Sequence, residues 1–127
     1  MTTYFCPNCW NESRENFRKC PVCGYSIDEF EQLSYEDKLI VALNHPVMIF
    51  RVNAIRQLGN MLSERALRYF EEIISKEKDS FILLEIIGAL ANIGSQNSLK
   101  LLGRLAEDGP EIVKQAARKA IRSRKKI

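Results

Sequence analysis

The chain of 127 residues has one histidine, one tryptophan and no cysteine after Cys23. Each scarcity removes a class of function. With His45 as the sole imidazole, no histidine pair exists to build a catalytic metal site. His45 stands in a turn before Pro46 and reads as a helix-end residue. If the four cysteines share one task, no thiol remains as a nucleophile. No glycine-rich phosphate loop occurs among the six glycines. Glu71 and Glu72 are neighbours, so on a helix they diverge and form no acid/base couple. No apolar run approaches the ~18 residues of a membrane span. Met1-Thr2-Thr3-Tyr4-Phe5-Cys6 lacks the charged and apolar stretches of a signal peptide. The expected setting is therefore the cytoplasm, where cysteines stay reduced and are ligands more often than disulfides. Hydrophobic residues make up 46% and charged residues 28%, a composition that packs a core rather than staying disordered.

What is present begins with those cysteines. Cys6, Cys9, Cys20 and Cys23 form two C-x-x-C pairs separated by ten residues. Each pair turns tightly enough to aim both thiolates at one centre, and two such turns supply a tetrahedral set for one Zn(II). Pro7 and Pro21 pre-set the turns, and Gly24 supplies the crowded or left-handed backbone position after the second. Thiolate tetrahedra also suit iron. The ten-residue gap is short for a rubredoxin, so zinc is the expected metal. Four thiolates leave no open position, which makes the ion structural. Residues 1–33 are also too few and too poor in large apolar groups to fold on polypeptide alone. Cys6-Pro7-Asn8-Cys9 and Cys20-Pro21-Val22-Cys23-Gly24 resemble short zinc-ribbon modules, with Trp10 where such ribbons carry glycine.

From Ser34 the apolar residues recur at helical spacing, which divides the chain into a module of residues 1–33 and a helical domain of 34–127. Ser34 followed by Asp37 marks a helix start; Asn44-His45-Pro46 ends that helix, and Pro46 opens the next. An internal repeat then appears. Leu58 to Leu67 aligns with Leu90 to Leu99 at an offset of 32, carrying Phe50 onto Ile82, Phe70 onto Leu102 and Ile73 onto Leu105. At an offset of 31, Ile82, Ile86, Ala89 and Leu90 meet Val113, Ala117, Ala120 and Ile121. Ser63 and Ser95 are the expected N-caps of the second helix in each unit. Lys76 to Asp79 and Glu107 to Pro110 are the polar breaks.

Val113-Lys114-x-x-Ala117-x-x-Ala120-Ile121 resembles the first helix of a HEAT-like repeat, of the short type also seen in phycobilin lyases. Phe50-Arg51-x-x-Ala54-x-x-x-Leu58-Gly59 is a second copy. Ile82-Leu83-x-x-Ile86-x-x-Ala89-Leu90 is a third, with Leu83 in place of the basic residue. The resemblance implies an all-α stack of about six helices, each pair burying its apolar face on the next. HEAT-like hydroxylases hold iron with His-Glu pairs, and this chain has none. Nothing beyond the generic repeat points to a tetrapyrrole.

Charge runs from one end to the other. Residues 1–33 carry a net −2, residues 34–79 are neutral, and residues 80–127 carry +5. Two functions fit. The first is a non-enzymatic adaptor or scaffold holding another protein. On the second helices Arg65, Arg68, Tyr69 and Glu72 match Asn97, Lys100, Leu101 and Arg104, and the apolar pattern turns these positions away from the core. Arg68, Tyr69, Glu72, Lys100 and Arg104 are the candidate partner-binding residues, with Trp10 as a further anchor. The second function is nucleic-acid association through the basic C-terminal helix, Lys114, Arg118, Arg122, Arg124, Lys125 and Lys126. Neither a membrane nor a small-molecule substrate is expected.

Overall fold

Two knuckles and a two-residue ladder occupy the start of the chain, and helices take up the rest. The computed structural model of the protein describes residues 2–125. Strands β1 (Tyr4–Phe5) and β2 (Glu12–Ser13) pair antiparallel, Tyr4 opposite Ser13 and Phe5 opposite Glu12. They form the only sheet among the described residues. A short helix α1 (Ile27–Glu31) follows, then α2 (Tyr35–Ala42), α3 (Met48–Asn60), α4 (Leu67–Lys76), α5 (Ser80–Ile93), α6 (Gln96–Asp108) and α7 (Glu111–Lys125). Among the described residues six α-helices thus follow residue 33, as the repeat predicts, with a 3-10 turn (Glu64–Ala66) leading into α4. Lys126 lies outside the described residues, and for Arg124 and Lys125 only the backbone is described. No helix among the described residues is long and apolar enough to cross a membrane.

The helix starts follow from side-chain oxygens that accept otherwise orphaned backbone N–H groups. Ser34 Oγ accepts from Asp37 N at 3.1 Å, Ser63 Oγ from Ala66 N at 3.2 Å and Ser95 Oγ from Ser98 N at 3.2 Å. These are the three serines that the sequence marks, but Ser63 caps the 3-10 turn Glu64–Ala66 that leads into α4 and not α4 itself. Pro46 departs from expectation. Helix α3 begins at Met48 with Val47 as N-cap, so Pro46 lies in the bend before it. There the His45 side chain serves the backbone instead, its Nδ1 accepting from Val47 N at 3.0 Å.

The first helices α3, α5 and α7 form one layer, and α2, α4 and α6 form the other. Helix α2 packs on α3, and its Glu36 accepts from Ser63 Oγ at 2.6 Å and from Arg65 at 2.8 Å, beside the turn that leads into α4. Between the layers lies one core running from Leu39 to Ala117, in which Ile55, Leu58, Phe70, Ile86, Leu90 and Leu102 are fully buried. Phe70 and Leu102 share that fate, as their alignment predicts. Phe50 and Ile82 do not: Ile82 is 2% exposed and Phe50 51%. The Phe50 ring lies instead on His45, with centroids 4.6 Å apart, outside the core.

The turns inside the units correspond residue for residue. Leu62 at φ 56° and Gly94 at φ 64° hold the same left-handed position, 32 residues apart. A leucine there is strained by roughly 1–2 kcal/mol, and its side chain is 58% exposed. Leu62→Gly should therefore stabilise the protein by about 0.5–1 kcal/mol, after the extra chain entropy of glycine is counted. Urea unfolding gives the sign; a loss would mean that the leucine side chain holds the turn.

Candidate metal centre and second-helix groove

The two knuckles are built on one pattern. Cys6 N donates to Asn11 O at 3.1 Å and Trp10 N to Cys6 O at 2.8 Å; Cys20 N donates to Tyr25 O at 2.9 Å and Gly24 N to Cys20 O at 3.0 Å. The residue after each second cysteine is left-handed, Gly24 at φ 81° and Trp10 at φ 64°. Tryptophan thus keeps the ribbon turn that glycine supplies elsewhere. Its strain is offset by contacts: the indole packs on His45, with ring centroids 4.9 Å apart. Phe5 packs on the same imidazole at 4.8 Å. With Phe50, three rings surround His45 and join the cysteine module to the corner between α2 and α3. Burial, with the nearby Arg51 charge, lowers the His45 pKa. Nδ1 is engaged as an acceptor, so the ring is neutral with its proton on Nε2. The lone histidine is a joint between the two parts of the chain.

The sulfur atoms of Cys6, Cys9, Cys20 and Cys23 lie within 4.8 Å of one another. Cys6 Sγ is 3.6 Å from Cys23 Sγ, and Cys9 Sγ is 3.7 Å from Cys20 Sγ. A tetrahedral cation with bonds of about 2.3 Å to sulfur sets that edge at about 3.8 Å. Backbone amides already point at the sulfurs: Asn8 N and Cys9 N donate to Cys6 Sγ at 3.4 and 3.5 Å, and Val22 N and Cys23 N to Cys20 Sγ at 3.4 and 3.5 Å. The Asn8 amide reaches across to Cys23 Sγ at 3.6 Å, a contact that the spacing alone does not reveal. That amide and the Tyr25 backbone group pull the Cys23 thiol down to about 6. Cys9 goes the other way. The Asn11 backbone group favours its thiolate, but desolvation and the neighbouring sulfurs push it up to about 12. Four anions this close repel one another, and a divalent cation removes that penalty. The four cysteines therefore fit a single metal ion. Among the described residues no further histidine, cysteine or carboxylate joins the cluster.

On the second-layer surface, α4 and α6 touch far less than α3 and α5 do. A groove of about 430 Å³ opens between them, and Arg68, Lys100 and Arg104 lie along it with Glu64 and Glu71. Three of the candidate partner-binding residues thus come together. Tyr69 is half-buried against the core; its hydroxyl accepts from Arg68 at 2.8 Å, and the guanidinium stacks on its ring at 4.9 Å. Glu72 is exposed on α4 outside the groove, and Trp10 sits in the His45 joint. Leu101 differs from expectation. It is buried and forms the groove floor with Leu67, because the helix spacing turns it inward. The adjacent glutamates diverge as expected, Glu71 pairing with Arg104 at 3.7 Å.

The family model for HEAT repeats matches residues 36–122. No curated protein and no solved structure matches the chain. The matched span runs from the second residue of α2 into the last turns of α7 and takes in both layers of the stack. By that match and by its paired, capped and in-register helices, the chain belongs to the HEAT-repeat family.

Proposed function

We propose that this protein is a non-enzymatic adaptor that holds a partner protein on the surface of its second helices, with one structural Zn(II) in its N-terminal module. The convergence of Arg68, Lys100 and Arg104 on one open groove carries this reading. These side chains are exposed and repeat along the stack, so a partner engages them without disturbing the core. Tyr69, Glu72 and Trp10 extend the contact on either side. We divide the chain into a zinc module of residues 1–33 and a repeat domain of 34–127, and place it in the reducing cytoplasm. The likeness to phycobilin-lyase repeats is taken as one of repeat length alone.

A second reading rests on α7. Arg118, Lys119 and Arg122 are exposed there, and none forms an ion pair among the described residues. Such a helix suits phosphates and would bind nucleic acid with a steep salt dependence. Two variants separate the readings: Arg68→Glu with Lys100→Glu, and deletion of residues 122–127. The adaptor reading expects the charge reversal to abolish recovery of whatever wild-type protein captures from its source cells, with the deletion neutral. Loss on deletion alone moves the site to α7. Retention on heparin at ~0.1 M salt reports the second reading directly.

A further inference from the structure

We infer that the groove between α4 and α6 takes one face of an acidic amphipathic helix from the partner. This rests on the reading of the second-helix surface as the binding side, and adds what kind of segment binds there.

The groove has the two chemistries such a helix needs. Its floor is apolar, formed by Leu67 and Leu101. Its rim is basic and only partly neutralised. Arg104 faces Glu71 at 3.7 Å, whereas Arg68 bonds the Tyr69 hydroxyl and no carboxylate. Lys100 has no ion pair among the described residues. The groove lining sets three basic side chains, Arg68, Lys100 and Arg104, against the two carboxylates of Glu64 and Glu71. That field favours an acidic partner and speeds its approach.

Length selects a helix. On one side the groove runs from Glu64, in the 3-10 turn Glu64–Ala66 that leads into α4, to Glu71, and along α6 from Asn97 to Arg104. Each stretch rises about 10 Å, which is two helical turns. Residues at i, i+3 or i+4, and i+7 of a partner helix cover the same distance on one face. At about 430 Å³ the groove admits side chains from that face and not the helix itself. Glu64 and Glu71 interrupt the basic run that a continuous phosphate backbone needs, whereas a helix can set its carboxylates against Arg68 and Lys100 alone. The apolar residues of the partner thus meet Leu67 and Leu101, and its carboxylates meet Arg68 and Lys100.

The test uses two labelled, stapled helices of ~15 residues, long enough to hold a helix in water. Both carry leucine at the spacing above. One has glutamate on the flanking positions, and the other has lysine in its place. Fluorescence anisotropy with the full chain should show the acidic helix binding at least ~10-fold tighter than the basic one. Arg68→Glu with Lys100→Glu should reverse that preference. Arg68→Gln with Lys100→Gln should erase it while leaving the thermal midpoint unchanged. Equal binding of the two helices, no binding by either, or a preference unmoved by the variants overturns the inference. The adaptor reading falls separately, when the charge-reversed protein still recovers the wild-type partner.

Discussion

Cys9→Ser or Cys20→Ser is expected to unfold residues 1–33 and to leave α2 to α7 standing. Among residues 2–33 only Cys6 and Cys20 are buried. The module therefore has no apolar core of its own, and its folding energy has to come from the ligands. Structural zinc supplies apparent binding energies of roughly 10–16 kcal/mol at neutral pH, far above what two short strands and one five-residue helix provide. Loss of one thiolate removes the closed shell. The core of the stack begins only at Leu39, so its packing does not depend on the module. Far-UV circular dichroism should fall only slightly, while limited proteolysis cuts within residues 1–33. Metal analysis of wild-type protein should give about one zinc per chain and no visible band. Stoichiometric iron with a red colour would replace zinc in this reading. Collapse of the helical signal in either variant would mean that the two parts fold as one, with the His45 joint transmitting the loss.

The joint shows where sequence reasoning stops. Spacing alone predicts the two knuckles, because a C-x-x-C turn leaves its thiolates little freedom. The serine caps are legible for the same reason, since a short side chain at that position falls within reach of the N–H three residues on. The repeat offset predicts the paired turns at Leu62 and Gly94. It fails at Phe50, whose aligned partner Ile82 is buried, because nothing local states that Phe5 and Trp10 fold back to the α2–α3 corner. Leu101 shows a similar limit: one position in a helical pattern decides between rim and floor, and helix spacing turns Leu101 inward beside Leu67. The metal ligands and the fold are properties of short-range pattern, whereas the joint and the groove depend on how distant segments meet.

Distant segments also meet at Gly59, where Gly59→Ala should lower stability while Gly88→Ala raises it. Both glycines lie inside first-layer helices, where alanine is the better helix former by about 1 kcal/mol. At Gly88 a Cβ meets nothing within 4 Å, so the full gain should appear. At Gly59 the added carbon would stand 2.7 Å from Ala89 Cα and 2.8 Å from Ala89 Cβ. No rotamer relieves a clash with backbone, so α3 and α5 have to separate. Overpacking of this kind costs typically 1–3 kcal/mol, and α3 on α5 is among the most extensive helix pairings in the fold. The packing loss outweighs the propensity gain, leaving Gly59→Ala less stable by about 1–2 kcal/mol. In a domain of this size each kcal/mol moves the thermal midpoint by roughly 4–8 °C. The two variants should therefore melt on opposite sides of wild type. If Gly59→Ala melts with or above Gly88→Ala, the first layer is not set by close backbone contact.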